Sequence, residues 1–369
     1  MTKKRSYWGW GYADFQFPEG NLDNFKMMLK GALQIKEFEQ HQPKTVEELE
    51  LRSPRFKIPA HLESFCSSSN YDRASRSYGK AFRDVWRGFH GIYPNPPDYV
   101  AFPKSEEAII QLMKFASEND VSIVPVGGGS SVVGGIEPTE NNRYQGVISV
   151  DMRHFNQILE VDKASRSAHI QAGIYGPALE AGLKPHGYTL RHYPQSFEFS
   201  TLGGWIATRA GGHFATLYTH IDEFVQSITM VTPMGKLESR RLPGSGAGPS
   251  EERFYLGSEG ILGIITSAWV RLQDIPKYKK TVTVAFPTFK AGAEAVRALS
   301  QSGLNPSNAR LIDAMEAFIN GFGDGQSHML IVGFESHQRE VTHWMKEALD
   351  LCKAHGGTWE EKRLTENAR

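Results

Sequence analysis

Hydrophobic residues in the middle of the chain recur with the periods of alternating strands and helices. Residues 99–102 and 121–126 are short apolar runs that predict strands, and the segment between them carries apolar residues at helical spacing. Ser105 stands where a helix N-cap is expected, before two glutamates that favour the first turn. The pattern therefore predicts strand, helix and strand, followed by a glycine-rich loop.

Further strands and helices are predicted after this loop, and their order changes after Pro276. Pro177 suits the first position of a helix. Alternating or apolar runs predict strands at 147–151, 158–162, 168–172, 227–232 and 262–272. Beyond Pro276 the order becomes strand, helix, strand, strand and helix, which indicates a second α+β domain. Its elements are predicted at 281–286, 291–299, 309–312, 329–334 and 341–354.

The first 93 residues lack this regularity and are interpreted as an arm that packs on a larger core. Helical spacing predicts helices at 22–40 and 45–52, whereas the polar stretch 65–78 is interpreted as a loop. An aromatic cluster near the start is expected to cover apolar surface: Trp8, Trp10, Tyr12, Phe15 and Phe17. The proline-rich segment 93–98 reads as a rigid linker, because proline fixes φ and removes a donor.

Composition and charge limit the classes of function. Apolar residues make up 40% and charged residues 22% of the 369, which is typical of a folded domain and argues against disorder. Lysine plus arginine and aspartate plus glutamate are both 41, so no net charge favours nucleic acid as a partner. Cys66 and Cys352 are too few for a disulfide framework or a four-cysteine zinc site. We expect two inert thiols, a reducing compartment and no metal.

Targeting signals are not evident in the sequence. No run of 18 apolar residues predicts a membrane-spanning helix. The basic N-terminus is followed by an aromatic segment rather than the apolar core of a secretory signal, and residues 366–369 are not the peroxisomal Ser-Lys-Leu address. We expect a cytoplasmic protein, with membrane association as an open alternative.

Glycine is the unusual residue, with 36 copies concentrated in strings. The first string, residues 125–135, follows a predicted strand and exposes consecutive backbone N–H groups that suit a phosphate or pyrophosphate. A tight turn that only needs positive φ is the alternative. No lysine of a phosphate-binding loop follows, and Val132 stands where a Rossmann motif has its third glycine. A nicotinamide dehydrogenase is therefore disfavoured.

Two more strings strengthen this interpretation. In residues 195–212, Ser200 or Thr201 can cap a helix that has Gly203 and Gly204 in its first turn. Each glycine there costs roughly 1 kcal/mol relative to alanine, so either a ligand approaches the backbone or the helix packs closely on a strand. The third string, residues 256–266, is a loop leading into a strand.

These strings occur in an order that resembles flavoproteins of the vanillyl-alcohol-oxidase (PCMH) type. They read Pro-Val-Gly-Gly-Gly-Ser-Ser, then Ser-Thr-Leu-Gly-Gly, then Gly-Ser-Glu-Gly-Ile-Leu-Gly-Ile-Ile-Thr. Flanking strings are similar to the alkyldihydroxyacetonephosphate synthase (alkylglycerone-phosphate synthase) family, at 8–12, 197–205, 230–235 and 309–313. The resemblance implies an α+β fold, a PCMH-type FAD-binding domain of two α+β subdomains followed by an α+β cap domain that we expect to be truncated. The implied boundaries are 1–93 for the arm with helices, 94–274 for the FAD-binding domain and 275–369 for the N-terminal part of the cap (FAD-linked oxidase C-terminal type).

The motif match also implies which residues hold FAD. The first string would bind the pyrophosphate, the second the flavin and ribityl chain, and the third the adenosine side: Pro125, Val126, Gly127, Gly128, Gly129, Ser130, Ser131, Gln195, Ser196, Phe197, Glu198, Phe199, Ser200, Thr201, Thr208, Arg209, Ala210, Gly211, Glu259, Gly260, Ile261, Leu262, Gly263, Ile264 and Ile265. Some relatives attach flavin through a histidine at the place of Ser130, so we predict non-covalent FAD. Arg310 matches an activity-linked arginine of the cap, with an ion pair to Asp313 as the alternative. His213 is either a flavin neighbour or a solvated loop histidine.

Three functions remain open. The resemblance implies a synthase of ether-lipid biosynthesis that exchanges the acyl chain of acyl-dihydroxyacetone phosphate for a fatty alcohol without net redox, with flavin N5 as a covalent electrophile. A lipid-like substrate is then the partner, with peripheral membrane contact and a homodimer as further hypotheses. The second possibility is a 2-hydroxy-acid dehydrogenase or oxidase. The family's C-terminal tyrosine, histidine-rich loop and further arginine do not occur before Arg369, which favours the third, a catalytically incomplete FAD-binding fragment.

Overall fold

A computed structural model describes residues 4–16, 18, 20–37, 39–139, 143–242 and 245–360. Phe17 and residues 361–369 at the end of the predicted cap lie outside this set. Thirteen α-helices are assigned within it, numbered in chain order: α1 Asn21–Leu33, α2 Ala60–Glu63, α3 Asn70–Ser75, α4 Phe82–Phe89, α5 Glu106–Glu118, α6 Gly176–Leu183, α7 Leu202–Thr208, α8 Ala215–Tyr218, α9 Ile221–Phe224, α10 Glu251–Tyr255, α11 Phe289–Gln301, α12 Ala314–Ile319 and α13 Thr342–Ala354.

Fourteen strands are assigned in the same ranges. They are β1 Cys66–Ser67, β2 Tyr99–Ala101, β3 Val121–Val126, β4 Gly146–Asp151, β5 Ile158–Asp162, β6 Ser167–Gln171, β7 Tyr188–Thr189, β8 Val225–Thr232, β9 Gly235–Glu238, β10 Ile264–Arg271, β11 Gln273–Asp274, β12 Tyr278–Phe286, β13 Asn308–Ile312 and β14 His328–Ser336.

The first subdomain is a four-stranded sheet covered by α5. Its strand order is β1-β2-β4-β3, and β4 runs parallel to both of its neighbours. Ser105 caps α5 by accepting a hydrogen bond from the Ala108 amide, as predicted. The buried face of α5, with Ile109 and Leu112, packs on the apolar side chains of the sheet. The carboxyl end of β3 therefore delivers the glycine-rich loop to one edge of this subdomain.

The second subdomain is built on a five-stranded antiparallel sheet. Its order is β5-β6-β10-β8-β9, and α6, α7 and α9 contribute to its core. The largest fully buried side chains here are Trp205 and Phe224. The prediction of two α+β subdomains is confirmed, and the glycine-rich strings meet where the two subdomains face each other.

The cap is a third α+β unit, as predicted. Its antiparallel sheet has the order β12-β14-β13 and is covered by α11 and α13. Arg191 of the second subdomain reaches Glu335 of β14, with its Nε donating to Oε1 over 2.6 Å. Glu335 is 7% exposed, so a buried ion pair joins the cap to the FAD-binding unit.

The N-terminal arm is fastened to the first subdomain by Asp98. This side chain is fully buried, and its carboxylate accepts from Arg52, from Arg55 (2.8 Å) and from the Val147 amide (2.7 Å). The arm has a small core of its own that contains Tyr7, and it packs aromatic rings on the glycine-rich region. The linker segment is thus a rigid attachment rather than a spacer.

Three predictions for the arm are wrong in detail. The helix predicted at 22–40 ends at Leu33, where the following residue adopts a left-handed conformation with φ 54°. Residues 45–52 form only a turn, in which the Thr45 amide bonds the Glu48 carboxylate rather than continuing a helix. The polar stretch 65–78 contains α3, because the Ser69 hydroxyl caps it by accepting from the Asp72 amide.

Across the described ranges, no helix is both long and apolar enough to cross a bilayer.

Candidate functional site

A cavity of about 320 Å³ opens where the two subdomains meet. Its size is within the ordinary range for ligand sites. All three glycine-rich strings contribute to its walls. The residues predicted as cofactor contacts that line it are Pro125, Val126, Gly127, Gly128, Gly129, Ser130, Ser131, Ser196, Ser200, Thr201, Thr208, Ala210, Glu259, Gly260, Gly263, Ile264 and Ile265.

The first string presents a row of free backbone donors to this cavity. The amides of residues 127–132 donate to no acceptor among the described residues. Gly129 has φ 69°, a conformation that glycine adopts without strain. Buried or half-buried amides without partners are rare in folded proteins, so a row of them beside a cavity favours an anionic ligand.

Two glycines of this string are required by packing. A Cβ on Gly128 would overlap the carbonyl oxygen of Phe199 and lie 2.7 Å from the Cα of Ser200. A Cβ on Gly127 would collide with the hydroxyl of Thr201. The first string therefore touches the second through the backbone at Gly128 and through the Thr201 side chain at Gly127, so neither position has room for a side chain of its own.

Helix α7 begins at the wall of the cavity. The Thr201 hydroxyl accepts from the Gly204 amide at 3.4 Å, so of the two predicted candidates, Ser200 and Thr201, the N-cap is Thr201. The two glycines of the first turn have different reasons. A Cβ on Gly203 would lie 2.7 Å from that of Ala172, whereas a Cβ on Gly204 meets only Thr201 Oγ1, at 3.4 Å. Close packing explains Gly203, and open space beside the cavity leaves Gly204 for ligand approach.

Alanine substitutions should separate these two roles. We expect Gly203→Ala to lower the free energy of unfolding by about 1–3 kcal/mol, because the helix must shift away from Ala172. We expect Gly204→Ala to keep or raise the midpoint of thermal unfolding and to weaken flavin binding, since its methyl group would occupy the cavity wall. Thermal unfolding and flavin titration of both variants measure this, and equal behaviour of the two variants would contradict it.

The third string contains three residues with positive φ: Glu259, Gly260 and Gly263. Glu259 and Gly260 have φ values of 50° and 87°, and the Glu259 amide donates to the Ala207 carbonyl at 2.9 Å. Gly263 has φ 151°, and a Cβ there would press on the Met230 side chain. This geometry brings the start of β10 to the end of α7.

Several predicted contacts lie outside the cavity wall. Gln195 and Glu198 are exposed, Ile261 is 84% exposed and Leu262 is half-buried beside it. Phe197 stacks near Trp205, and Phe199 faces Trp10 of the arm. Arg209 pairs with Asp222 at 3.5 Å, and Gly211 lies beside His220. Spacing along a string cannot tell which side of the backbone faces the ligand, and these positions remain predictions as cofactor contacts.

Other residues line the cavity without having been predicted as cofactor contacts. They are Val132, Val133, Gly135, Ile136, Met152, Ala172, Pro194, Gly203, Gly204, Trp205 and Ala207. The glycines of α7 carried a signal, since glycine in a first helical turn is costly. Met152 and Ala172 follow directly after β4 and β6, and only the topology brings them to the site.

Arg310 lies at the edge of the cap sheet, where β13 packs on α8. It is exposed, and no ion pair joins it to Asp313 within the described residues. The Asp313 carboxylate instead caps α12, accepting from the Met315 and Glu316 amides at 2.9 and 3.0 Å. Partial burial and then the charge of Arg310 hold the pKa of His213 below its usual value of 6.5. The strand that carries Arg310 thus lies close to the segment after His213, and neither residue lines the cavity.

The two cysteines stay unpaired. Burial raises the pKa of Cys66 to about 12 and that of Cys352 to about 11, so both thiols are protonated at neutral pH. Among the residues that the structure describes, no group of three His, Cys, Asp or Glu side chains could hold a metal.

Comparison with known proteins decides the family. Residues 97–239 match the model of the FAD binding domain, and residues 275–369 match that of FAD linked oxidases, C-terminal domain. A solved alkyldihydroxyacetonephosphate synthase is 31% identical with a TM-score of 0.85, covering 96% of this chain and 73% of that one. The chain belongs to the alkyldihydroxyacetonephosphate synthase family. It carries the FAD binding domain of that family, and FAD is its cofactor.

The curated relatives of this member of the synthase family are longer than the chain itself. The alkyldihydroxyacetonephosphate synthase of Dictyostelium discoideum is 34% identical over 367 residues, which is 90% of this chain and 59% of that protein. The mitochondrial D-lactate dehydrogenase [cytochrome] of Arabidopsis thaliana is 29% identical over 318 residues, covering 82% and 53%. The chain thus spans between half and three-fifths of these two proteins.

The residues present fit FAD. Free amides of the first string suit the pyrophosphate, the apolar and glycine-rich walls suit a flat ring, and the backbone contacts of Gly127 and Gly128 leave no room for side chains. Ser130, at the position from which the resemblance led us to predict non-covalent FAD, lines the cavity, and the mode of attachment stays a prediction.

Proposed function

We propose that the chain carries out the alkyl-for-acyl exchange of ether-lipid biosynthesis. In this reaction a fatty alcohol replaces the acyl chain of acyl-dihydroxyacetone phosphate. The fatty acid leaves, the alcohol oxygen forms the new ether bond, and no net oxidation or reduction occurs. The observation that carries the proposal is the packing of the cap strand β13, which bears Arg310, on α8, which directly follows His213 and the second glycine-rich string.

The residues at this place have the properties that the exchange needs. Bound FAD would supply the electrophile for the ketose carbon. Arg310 is a permanent cation that suits a substrate phosphate. His213, whose pKa is lowered by partial burial and then by Arg310, is an imidazole that is able to accept a proton. Arg310 therefore favours the neutral state of His213 as well as an anionic substrate.

An FAD-linked oxidoreductase acting on a 2-hydroxy acid is the second candidate. It is supported by the similarity to the D-lactate dehydrogenase of Arabidopsis thaliana, and Arg310 would then hold a carboxylate. The two candidates differ in the fate of electrons, because only the oxidoreductase reduces the flavin.

Flavin absorbance and alcohol exchange distinguish the candidates in one experiment. The FAD-loaded protein is given acyl-dihydroxyacetone phosphate with labelled fatty alcohol, and separately a 2-hydroxy acid. Label in the product with the flavin still oxidised supports the synthase. Bleaching by the hydroxy acid without exchange overturns it in favour of the oxidoreductase. Bound FAD with neither activity overturns both and supports a catalytically incomplete fragment.

Arg310→Lys tests the role of the cap strand. Lysine keeps the charge but lacks the planar fork, so we expect unchanged FAD binding and turnover lower by about tenfold or more. Arg297→Lys, at an exposed position of α11 in the same cap, is the matched control and should leave turnover unchanged. Full turnover in Arg310→Lys would remove the guanidinium from the mechanism.

A lipid-like substrate follows from the proposed reaction. Peripheral membrane contact for substrate uptake, a homodimer and a cytoplasmic location belong to the same proposal. Flotation of the FAD-loaded protein with lipid vesicles measures the membrane contact, and sedimentation measures the oligomeric state.

A further inference from the structure

A second, smaller cavity of about 40 Å³ lies between the N-terminal arm and the glycine-rich loop. Three cationic side chains of the arm line it: Arg5, Arg76 and Lys80. Its opposite wall is residues 128–130, which also line the larger flavin cavity. The loop backbone is therefore a thin wall between the two cavities. Its free amides lie beside the larger flavin cavity, and the cations of the arm lie on the side of the smaller one.

Arg5 holds two of the glycine-rich strings at once. Its Nη1 donates to the carbonyls of Gly128 (3.3 Å) and Phe199 (3.4 Å), and its Nη2 donates to that of Glu198 (3.3 Å). In a trans peptide the carbonyl and the following N–H point in opposite directions. A Gly128 carbonyl turned to the arm therefore directs the Gly129 N–H away from the arm.

Lys80 acts on the far end of the same loop. Its backbone N–H donates to the Ser131 carbonyl at 2.6 Å, which by the same geometry directs the Val132 amide away from the arm. A Cβ on the preceding residue, Gly79, would overlap that Ser131 carbonyl, so the arm and the loop are in backbone contact. The arm thus sets the direction of the amides at both ends of the loop.

The positive charge of the small cavity lacks full compensation. Arg76 pairs with Asp151 through Nε at 2.7 Å, and Arg153 binds the same carboxylate. The ammonium group of Lys80 has no carboxylate within ion-pair distance in the described ranges. Burial, and after it the charges of Arg76 and Arg5, lower the pKa of Lys80 to about 8. A half-buried cation without an ion-pair partner favours the arrival of an anion.

We propose that Arg5 and Lys80 of the N-terminal arm form the charged half of the pyrophosphate site of FAD, behind the neutral half formed by the loop amides. Arg5 directs the amides, and both side chains supply positive charge through the thin wall. The role is one of positioning and electrostatics, and it holds whether the enzyme exchanges alkyl chains or transfers electrons.

The test compares FAD with riboflavin, which carries the flavin ring but no phosphate. Apoprotein of the full chain is titrated with each ligand, following flavin fluorescence at low and high salt. We expect Lys80→Met to weaken FAD binding about tenfold at low salt and to leave riboflavin binding unchanged. The matched control is Lys57→Met at an exposed position of the arm, which should change neither affinity.

The variants Arg5→Lys and Arg5→Met separate the two roles of Arg5, which are to orient the loop amides and to supply positive charge. Lysine cannot reach three carbonyls at once, so both variants should bind FAD more weakly than the parent. At low salt Arg5→Met should bind FAD more weakly than Arg5→Lys, and at high salt the two variants should have equal FAD affinity. Equal losses of FAD and riboflavin affinity in Lys80→Met and Arg5→Met would show a purely structural role and overturn the proposal. Unchanged FAD affinity in both would also overturn it.

The pH dependence of the unsubstituted protein provides a measurement that needs no variant. The charged groups facing Lys80 are Arg5 of the arm, Arg76 after α3 and Asp84 of α4. An anion raises the pKa of a nearby lysine, so FAD binding takes up a proton. FAD affinity should therefore be full below pH 8 and fall as the pH rises through this value, while riboflavin affinity stays level. A level FAD affinity between pH 7 and 9 would overturn the charge contribution of Lys80.

Discussion

Replacing Gly128 with alanine is expected to abolish flavin binding. The new methyl carbon would overlap the Phe199 carbonyl oxygen and lie 2.7 Å from both the Phe199 carbonyl carbon and the Ser200 Cα. All of these are backbone atoms, so no rotamer change relieves the collision. The first two glycine-rich strings must separate, and we expect FAD affinity to fall by about 100-fold or more. The flavin absorbance of the purified protein measures the loss directly.

Gly246→Ala is the matched control for this substitution. No heavy atom lies within 4 Å of a Cβ built there, and its φ is not in the left-handed region. This variant should retain the flavin of the parent. Normal FAD content in Gly128→Ala would mean that the strings do not need their backbone contact, and the assignment of the pyrophosphate loop would fail.

Asp98→Ala is expected to have the largest effect on stability. Removing the buried carboxylate leaves Arg52 and Arg55 without their counter-ion and the Val147 amide without an acceptor. Breaking a buried pair by deleting one partner costs about 3–5 kcal/mol of unfolding free energy. Because this carboxylate fastens the arm to the first subdomain, chemical denaturation should show the loss, and Asp14→Ala at an exposed position should show none.

The same site predicts an acid transition. Burial alone would raise the pKa of Asp98, but hydrogen bonds from Arg55, Arg52 and the Val147 amide lower it to about 2. A carboxylate with a depressed folded-state pKa contributes its stability above its ordinary pKa of 3.8 and loses it as the pH falls towards 2. In Asp98→Asn, the decline of stability between about pH 5 and pH 2 should be smaller than in the parent. An identical decline in both proteins would place the acid sensitivity elsewhere.

The elements that sequence patterning predicted well are those whose signal is local. The cap of α5 by Ser105, the cap of α7 by Thr201 and the glycine loop after β3 depend on neighbouring residues, and the structure has all three. The segment at 65–78 was harder, because a run of serines resembles a loop although Ser69 caps α3. Local sequence pattern thus predicts where helices and loops begin and end better than it predicts which of their residues face the cavity.

Residues that reach the site only through tertiary contacts could not be predicted from local sequence pattern. Arg5 reaches carbonyls 123 and 194 residues away, and nothing in its own surroundings marks it as a neighbour of the cofactor loop. The same holds for Ala172, which reaches the cavity only because β6 pairs with β10. The ion pair with Asp313, which the sequence left open as the alternative role of Arg310, does not form, because the Asp313 carboxylate accepts hydrogen bonds from the nearby α12 amides instead.

The reach of Arg5 also affects the order of events during synthesis. The flavin site combines Arg5 with residues as distant as Ile265, so its walls come together only after the first 265 residues have been synthesised. Contacts of such high sequence separation form late in folding. The cofactor should therefore be taken up only after β10 has been synthesised, and a nascent chain that stops before β10 should emerge without flavin.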